Sequence, residues 1–170
     1  MKKGKSVDLY IIRHADALPL ESQGISTDEE RPLSEAGFQQ ARKLGQGFRA
    51  RGMTPELIIA SPLVRAQQTA SEIVRALEIT EDRLLTREEL SPGSRVRKVA
   101  RLLNSFNEQS VAIVGHQPDL GRYCAWLIGN KQVRITFAKG GAALIRTEGM
   151  IQKGCGELTW LITPEWVGQI

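Results

Sequence analysis

The chain alternates short, unbroken apolar runs with longer segments in which apolar residues recur every three or four positions. Residues 9–12, LYII, form one such run, which stops abruptly at Arg13 and His14. A run this short and this apolar predicts a strand buried on both faces of a sheet. Runs at residues 57–60 and 111–114 have the same character. Further strand-like runs at residues 133–137, 142–146 and 158–162, separated by Gly-rich turns, are expected to complete the sheet.

Helical spacing fills the intervals. Ser34 can cap a helix whose apolar face carries Phe38, Ala41, Leu44 and Phe48 and which closes near Gly52. Ser61 and Pro62 supply a cap and a first-turn proline for a second, with Leu63, Ala66, Ala70, Ile73, Val74 and Leu77 on its inner face. A third is expected over residues 95–106, carrying Val96, Val99, Leu103 and Phe106. Pro118 can open a fourth, with Leu120, Tyr123, Cys124 and Leu127 before Gly129. Residues 18–31 are polar and read as a surface loop over the end of the first strand. Strands alternating with helices predict an α/β fold: one domain over residues 1–170, with a mostly parallel central sheet.

Composition narrows the class. A chain of 170 residues, 41% apolar and 25% charged, can bury one core and is short for two. The net charge of +4 favours anionic partners. Its basic residues are scattered, with no aromatic-interleaved patch, which argues against nucleic acid. The N-terminal MKKGK is basic, as in a secretory leader, but the apolar run behind it is interrupted by Asp8 and ended by Arg13, so no leader is expected. No segment reaches membrane-spanning length. Two cysteines, Cys124 and Cys155, make neither a disulfide framework nor a ligand cluster, which points to the cytoplasm.

The candidate chemistry lies at the strand ends. The chain has two histidines, His14 and His116, and each follows an apolar strand; Arg13 stands beside the first and Arg65 follows a third strand. A lone histidine there is usually a hydrogen-bonded structural residue. Four such groups at the carboxyl ends of parallel strands would converge on one sheet edge, where open α/β sheets bind ligands. The set suits a phosphoryl group, because guanidinium forks bind its oxygens and offset its charge. One neutral imidazole could attack phosphorus while the other donates to an equatorial oxygen. Two histidines without cysteine, or a carboxylate at ligand spacing, make a poor metal site, and Arg13 beside His14 opposes a cation.

The motifs RHA at residues 13–15, PLSEAG with Gln40 and Ala41, SPLVRAQQTA at residues 61–70 and GHQPDL at residues 115–120 occur in the order and spacing of a known family. The chain resembles the histidine phosphatase superfamily, with its phosphoglycerate-mutase-like, three-layer fold. Its small size and the ELSP at residues 89–92 make it most similar to the SixA-type phosphohistidine phosphatases. The resemblance implies that His14 is the phosphorylated nucleophile and that Arg13, Arg65 and His116 bind phosphate, with no cofactor or metal. The family's triplet usually ends in glycine, where this chain has Ala15. The general acid is open among Glu89, Asp16 and Glu88.

Rival chemistries fail on spacing. A cysteine-dependent phosphatase needs arginine six residues after its nucleophile, where Cys124 has Asn130 and Cys155 has Leu161. Gly4, Lys5 and Ser6 resemble the end of a nucleotide-binding loop, but no glycine stands five residues earlier. A mutase would need an enclosing insertion that this chain lacks. The expected substrate is a phosphorylated protein such as a phosphotransfer domain. A small phosphoester or sugar phosphate is the alternative, as is a phospholigand-binding protein that has lost catalysis.

Overall fold

A computed structural model describes residues 6–167; the basic N-terminal segment weighed above as a leader, with Gly4 and Lys5, lies outside the described residues. Six strands form the sheet: β1 (Ser6–Arg13), β2 (Leu57–Ala60), β3 (Leu84–Thr86), β4 (Ser110–Gly115), β5 (Ala142–Glu148) and β6 (Gly156–Ile162). They lie in the order β3-β2-β4-β1-β5-β6. The first four positions are parallel, while β5 pairs antiparallel to β1 and β6 antiparallel to β5. The helices are α1 (Glu35–Ala50), α2 (Val64–Leu77), α3 (Val96–Asn104), α4 (Asp119–Leu127) and the short α5 (Pro164–Val167).

The unbroken apolar strands are explained by two cores, one on each face of the sheet. Tyr10, Ile12, Ile58, Ala112 and Val114 pack against Leu44 and Phe48 of α1 and Ala66, Ala70 and Ile73 of α2. Leu9, Ile11, Ile59, Val111 and Ile113 turn the other way, onto Val99 and Leu103 of α3 and Leu120, Cys124 and Leu127 of α4. Successive residues of β1 thus serve opposite layers, as the period of a strand requires. Each such fully buried Leu or Ile contributes about 1.5–3 kcal/mol. This is the three-layer α/β arrangement, and it brings the carboxyl ends of β1, β2 and β4 side by side, with Ile12, Val114 and Ala60 in register.

Three expectations are corrected. Residues 133–137 do not join the sheet. Their Val-x-Ile-x-Phe alternation is real, but it seats Phe137 and Ile135 in the core cluster beside α4, and their carbonyls bond side chains instead of a strand. Ser61 does not cap α2, which begins at Val64 after Leu63 and without a side-chain cap, so Pro62 precedes the first turn. The third helix is shorter than the spacing suggested, ending at Asn104. Strand β3 and helix α5 were not anticipated.

Two glycines permit close approaches near the edge where the strand ends meet. A Cβ on Gly37 would lie 2.0 Å from the Asp16 carbonyl oxygen, and one on Gly121 would lie 2.0 Å from that of Ile135. The first lets α1, capped by the Ser34 hydroxyl on the Gly37 amide, sit against the loop after β1. The second lets the 131–137 segment lie on α4. Gly121→Ala should therefore lower stability by about 1–3 kcal/mol through overpacking, read as a reduced denaturation midpoint; an unchanged midpoint would show that the segment moves aside freely.

Candidate active site

At the end of β1, the chain is held by backbone on both sides. The His14 amide donates to the Gly115 carbonyl at 3.0 Å, and the His14 carbonyl accepts from the Gly140 amide at 3.1 Å. Ala15 donates to the Thr69 hydroxyl at 3.0 Å, which itself donates to the Arg65 carbonyl at 2.7 Å. The Asp16 amide is taken by the Gln40 side chain at 2.9 Å. Ala15 has no positive φ, and its Cβ is buried with Leu33 and Ala41. Alanine is therefore compatible with this turn.

His14, Arg65 and His116 meet, and Arg13, at the end of β1, acts electrostatically on both histidines. Arg65 donates from Nε to His14 Nε2 at 3.3 Å, and the two histidine rings lie 5.1 Å apart, centroid to centroid. His14, Arg65 and His116 are all buried. Arg13 donates from Nη1 to the Phe137 carbonyl at 2.7 Å. Its Nε and the Nδ1 of His116 are buried polar atoms with no protein partner. Groups of this kind need a ligand or water to satisfy them, and with Arg65 they make a donor set suited to phosphoryl oxygens, placed around His14 Nε2.

The tautomer of His14 follows from its neighbours. Nδ1 lies 2.8 Å from the Ala15 carbonyl, which can only accept, so Nδ1 carries the proton. Nε2 then keeps its lone pair and accepts from Arg65. Burial pushes the His14 pKa down to about 4; the Ala15 carbonyl opposes this, while Arg65, Arg13 and Lys139 add to it. His116 falls to about 3, from burial first and then from its proximity to His14, Arg65 and Arg13, with Asp28 opposing. Both rings are neutral at physiological pH.

The candidate acids are separated by their surroundings. Asp16 accepts from Lys139 Nζ at 2.7 Å and the Ser34 hydroxyl at 2.6 Å, and those two bonds hold its carboxyl below the usual range. Glu88 accepts from the Ser91 hydroxyl at 2.9 Å. Glu89 lines a narrow cavity together with His116 and Asp119. Glu89 thus shares a cavity wall with a histidine of the site.

Sequence reasoning missed several contributors. Ser61 turns its hydroxyl to His116 Nε2 at 2.8 Å. Asp28, from the loop over the strand end, engages Arg65 twice: its carbonyl accepts from Nη1 at 2.5 Å and its carboxylate from Nη2 at 2.8 Å. Arg31 also binds that carboxylate, and the two arginines, Arg31 foremost, lower its pKa. Thr69 and Gln40 lay inside quoted motifs, yet nothing in their spacing marked them as supports. Cys124 is buried and its thiol is pushed up to about 12, which suits packing and not nucleophilic attack. Among the described residues, no group of three or more His, Cys, Asp or Glu is placed to hold a metal ion, and no helix is long and apolar enough to cross a membrane.

The depressed histidines carry a sign for stability. Between pH 6.5 and about 4 the unfolded chain takes up protons that folded His14 and His116 refuse, so stability must fall as pH falls through this window. The loss should be on the order of a few kcal/mol, measured as urea midpoints in phosphate-free buffer. A flat profile from pH 6.5 to 4 would mean that the rings are protonated in the fold.

Comparison with known proteins agrees with this geometry. The sequence profile of the histidine phosphatase superfamily (branch 1) matches residues 9–93. An uncharacterised protein of Picosynechococcus sp. is 30% identical over 95% of this chain and 99% of its own length. Phosphohistidine phosphatase SixA of Escherichia coli is 24% identical, covering 93% of this chain and 94% of that protein. The structure of the protein histidine phosphatase SixA complexed with tungstate superposes with a TM-score of 0.82 at 24% identity, covering 95% of this chain and 99% of the other. With the profile, the likeness to SixA and the phosphoglycerate-mutase-like α/β fold in agreement, the chain belongs to the histidine phosphatase superfamily and is an enzyme of the histidine phosphatase type.

Proposed function

We propose that this enzyme hydrolyses phosphohistidine on a protein, as a SixA-type phosphatase, through a phosphohistidine formed on its own His14. The observation that carries the chemistry is the His14 tautomer: the Nδ1 proton is committed to the Ala15 carbonyl, and the Nε2 lone pair faces Arg65. In the first step Nε2 attacks phosphorus, the bond from phosphorus to the leaving nitrogen breaks, and the departing imidazole takes up a proton. In the second, water attacks phosphorus and gives a proton to the carboxylate that acted as acid in the first step, the bond to Nε2 breaks, and inorganic phosphate leaves. The Ala15 carbonyl stabilises the cationic ring formed between the steps.

Charge on the transferring group is met by Arg13, Arg65 and His116. If Ser61 donates to His116 Nε2, the unpartnered Nδ1 holds the proton and supplies a donor to an equatorial oxygen. Glu89 is the proposed acid, because it lines the cavity with His116, whereas Asp16 is held ionised by Lys139 and Ser34. A leaving imidazole asks little of an acid, since the bond from phosphorus to nitrogen is labile. The likeness to SixA over nearly the whole chain supports the protein substrate. The free thiols Cys124 and Cys155 suit a reducing cytoplasm.

His14→Ala should abolish turnover while the fold persists, measured as phosphate release from a phosphohistidine phosphotransfer domain and from p-nitrophenyl phosphate. Release from the domain, lost in the variant, supports the reading; turnover of the small ester alone would make this a metabolite phosphatase. Arg65→Ala should lower the rate on the order of a hundredfold, and EDTA should leave it unchanged. Corrected for ionisation of the substrate, the acid limb of kcat/KM should lie near pH 4, where His14 protonates, and not near 6.5. An acid limb at the ordinary histidine value would show that His14 is not the buried neutral base described above.

A further inference from the structure

Beside the phosphoryl pocket lies a cleft of about 450 Å³ between α4 and the 131–137 segment. Its floor includes Trp126 and Ile135, Val133 is 39% exposed at its edge, and Arg122, Lys131 and Arg134 line it as cations. Among the described residues no carboxylate lines it. Lys131 and Arg134 form no ion pair among the described residues, and Arg122 meets only Asp119, at 3.5 Å.

The cleft and the pocket share structure. Gln117, next to His116, donates from Nε2 to the Ile135 carbonyl at 2.9 Å, and its Oε1 is buried without a partner at the cleft wall. Arg13 binds the Phe137 carbonyl. The opposite side of the pocket is acidic: the loop that places Asp28 on Arg65 continues through Glu29 and Glu30, and the Glu29 carbonyl accepts from the Val64 amide at 3.1 Å. The pocket is thus flanked by negative charge on one side and by an apolar cleft with free cations on the other.

We propose that this cleft docks an acidic, amphipathic face of the phosphoprotein whose histidine enters the pocket. The proposal rests on the phosphohistidine reading above. A phosphorylated side chain projects only a few ångströms from its carrier, so the carrier's surface must lie on the residues around the pocket. Acidic groups there are repelled by Glu29 and Glu30, which form no ion pair among the described residues, and drawn to Arg122, Lys131 and Arg134, which fixes the orientation of approach. Apolar residues of the same face cover Val133 and Trp126. Exposed, unpaired cations suit this long-range selection of a protein surface better than the holding of an enclosed small ligand.

The test is the double variant Lys131→Glu/Arg134→Glu, with Lys131→Gln/Arg134→Gln as a milder companion, both checked for an unchanged melting temperature. The substrates are a histidine-phosphorylated phosphotransfer domain with acidic residues flanking its histidine, and p-nitrophenyl phosphate. The charge reversal is expected to lower kcat/KM for the domain about tenfold or more through KM, to flatten its dependence on ionic strength, and to leave the small ester within about twofold. Lysine substitutions at the domain's acidic residues should restore the reversed enzyme. Equal kcat/KM for the domain in wild type and variant would overturn the docking proposal alone, as would a loss shared by both substrates or confined to the ester. A wild-type enzyme inactive on the domain but active on the ester would overturn the phosphohistidine reading and the docking proposal with it.

Discussion

The site depends on one hydrogen bond, from His14 Nδ1 to the carbonyl of the next residue, made inside a buried pocket. A carbonyl cannot donate, so this contact decides which nitrogen keeps a lone pair. Burial adds the second half of the constraint, since a charged ring would be expensive there and the pKa falls to about 4. Without the carbonyl the ring could turn or change tautomer. With more water around it, it would be partly protonated at neutral pH and would lose the lone pair on Nε2. The rest of the edge is arranged to hold that short stretch of backbone: Gly115 and Gly140 on the main chain of His14, Thr69 on Ala15, Gln40 on Asp16.

The parallel sheet supplies the frame. Because β1 and β2 both pair with β4, their carboxyl ends finish at one level. Arg13 ends β1 and His14 follows it, His116 follows Gly115, and Arg65 reaches back from the first turn of α2. Both layers of core press on the same strands. The precision of the site therefore comes from tightly packed apolar residues that touch no substrate, which is why rigid elements carry sites better than loops do.

This division also explains what was legible beforehand. The buried strands and packed helices announced themselves because burial imposes a period on the sequence, and the four basic residues stood out because each stands at or shortly after the end of an apolar run. Ser61 was read as a cap because Ser-Pro before a helix has that chemistry locally; its real partner, His116, is fifty-five positions away. Residues 133–137 alternate as a strand does, but alternation reports a one-sided burial and not a hydrogen-bonded neighbour. Strand β3 is three residues long, too short to leave a pattern. Asp28 sat among loop carboxylates that looked alike, and only the fold distinguishes the one that reaches Arg65.

Asp28 also bears on what the pocket can select. Arg65 directs Nε at His14 and its two Nη groups at Asp28, so the guanidinium edge that a phosphoryl group needs is already satisfied by a carboxylate and a carbonyl. Under the proposed mechanism a phosphoryl dianion gains from this arginine only the difference between its own bonds and those of Asp28. A singly charged oxyanion gains less than a dianion for the same exchange. The arrangement therefore disfavours weak anions while keeping Arg65 aimed at His14 Nε2, and a phosphoryl group bound to nitrogen, whose leaving bond is labile, tolerates such modest ground-state binding because its barrier is low. The Asp28 contact thus fits a site whose selectivity comes from charge at phosphorus and from surfaces outside the pocket.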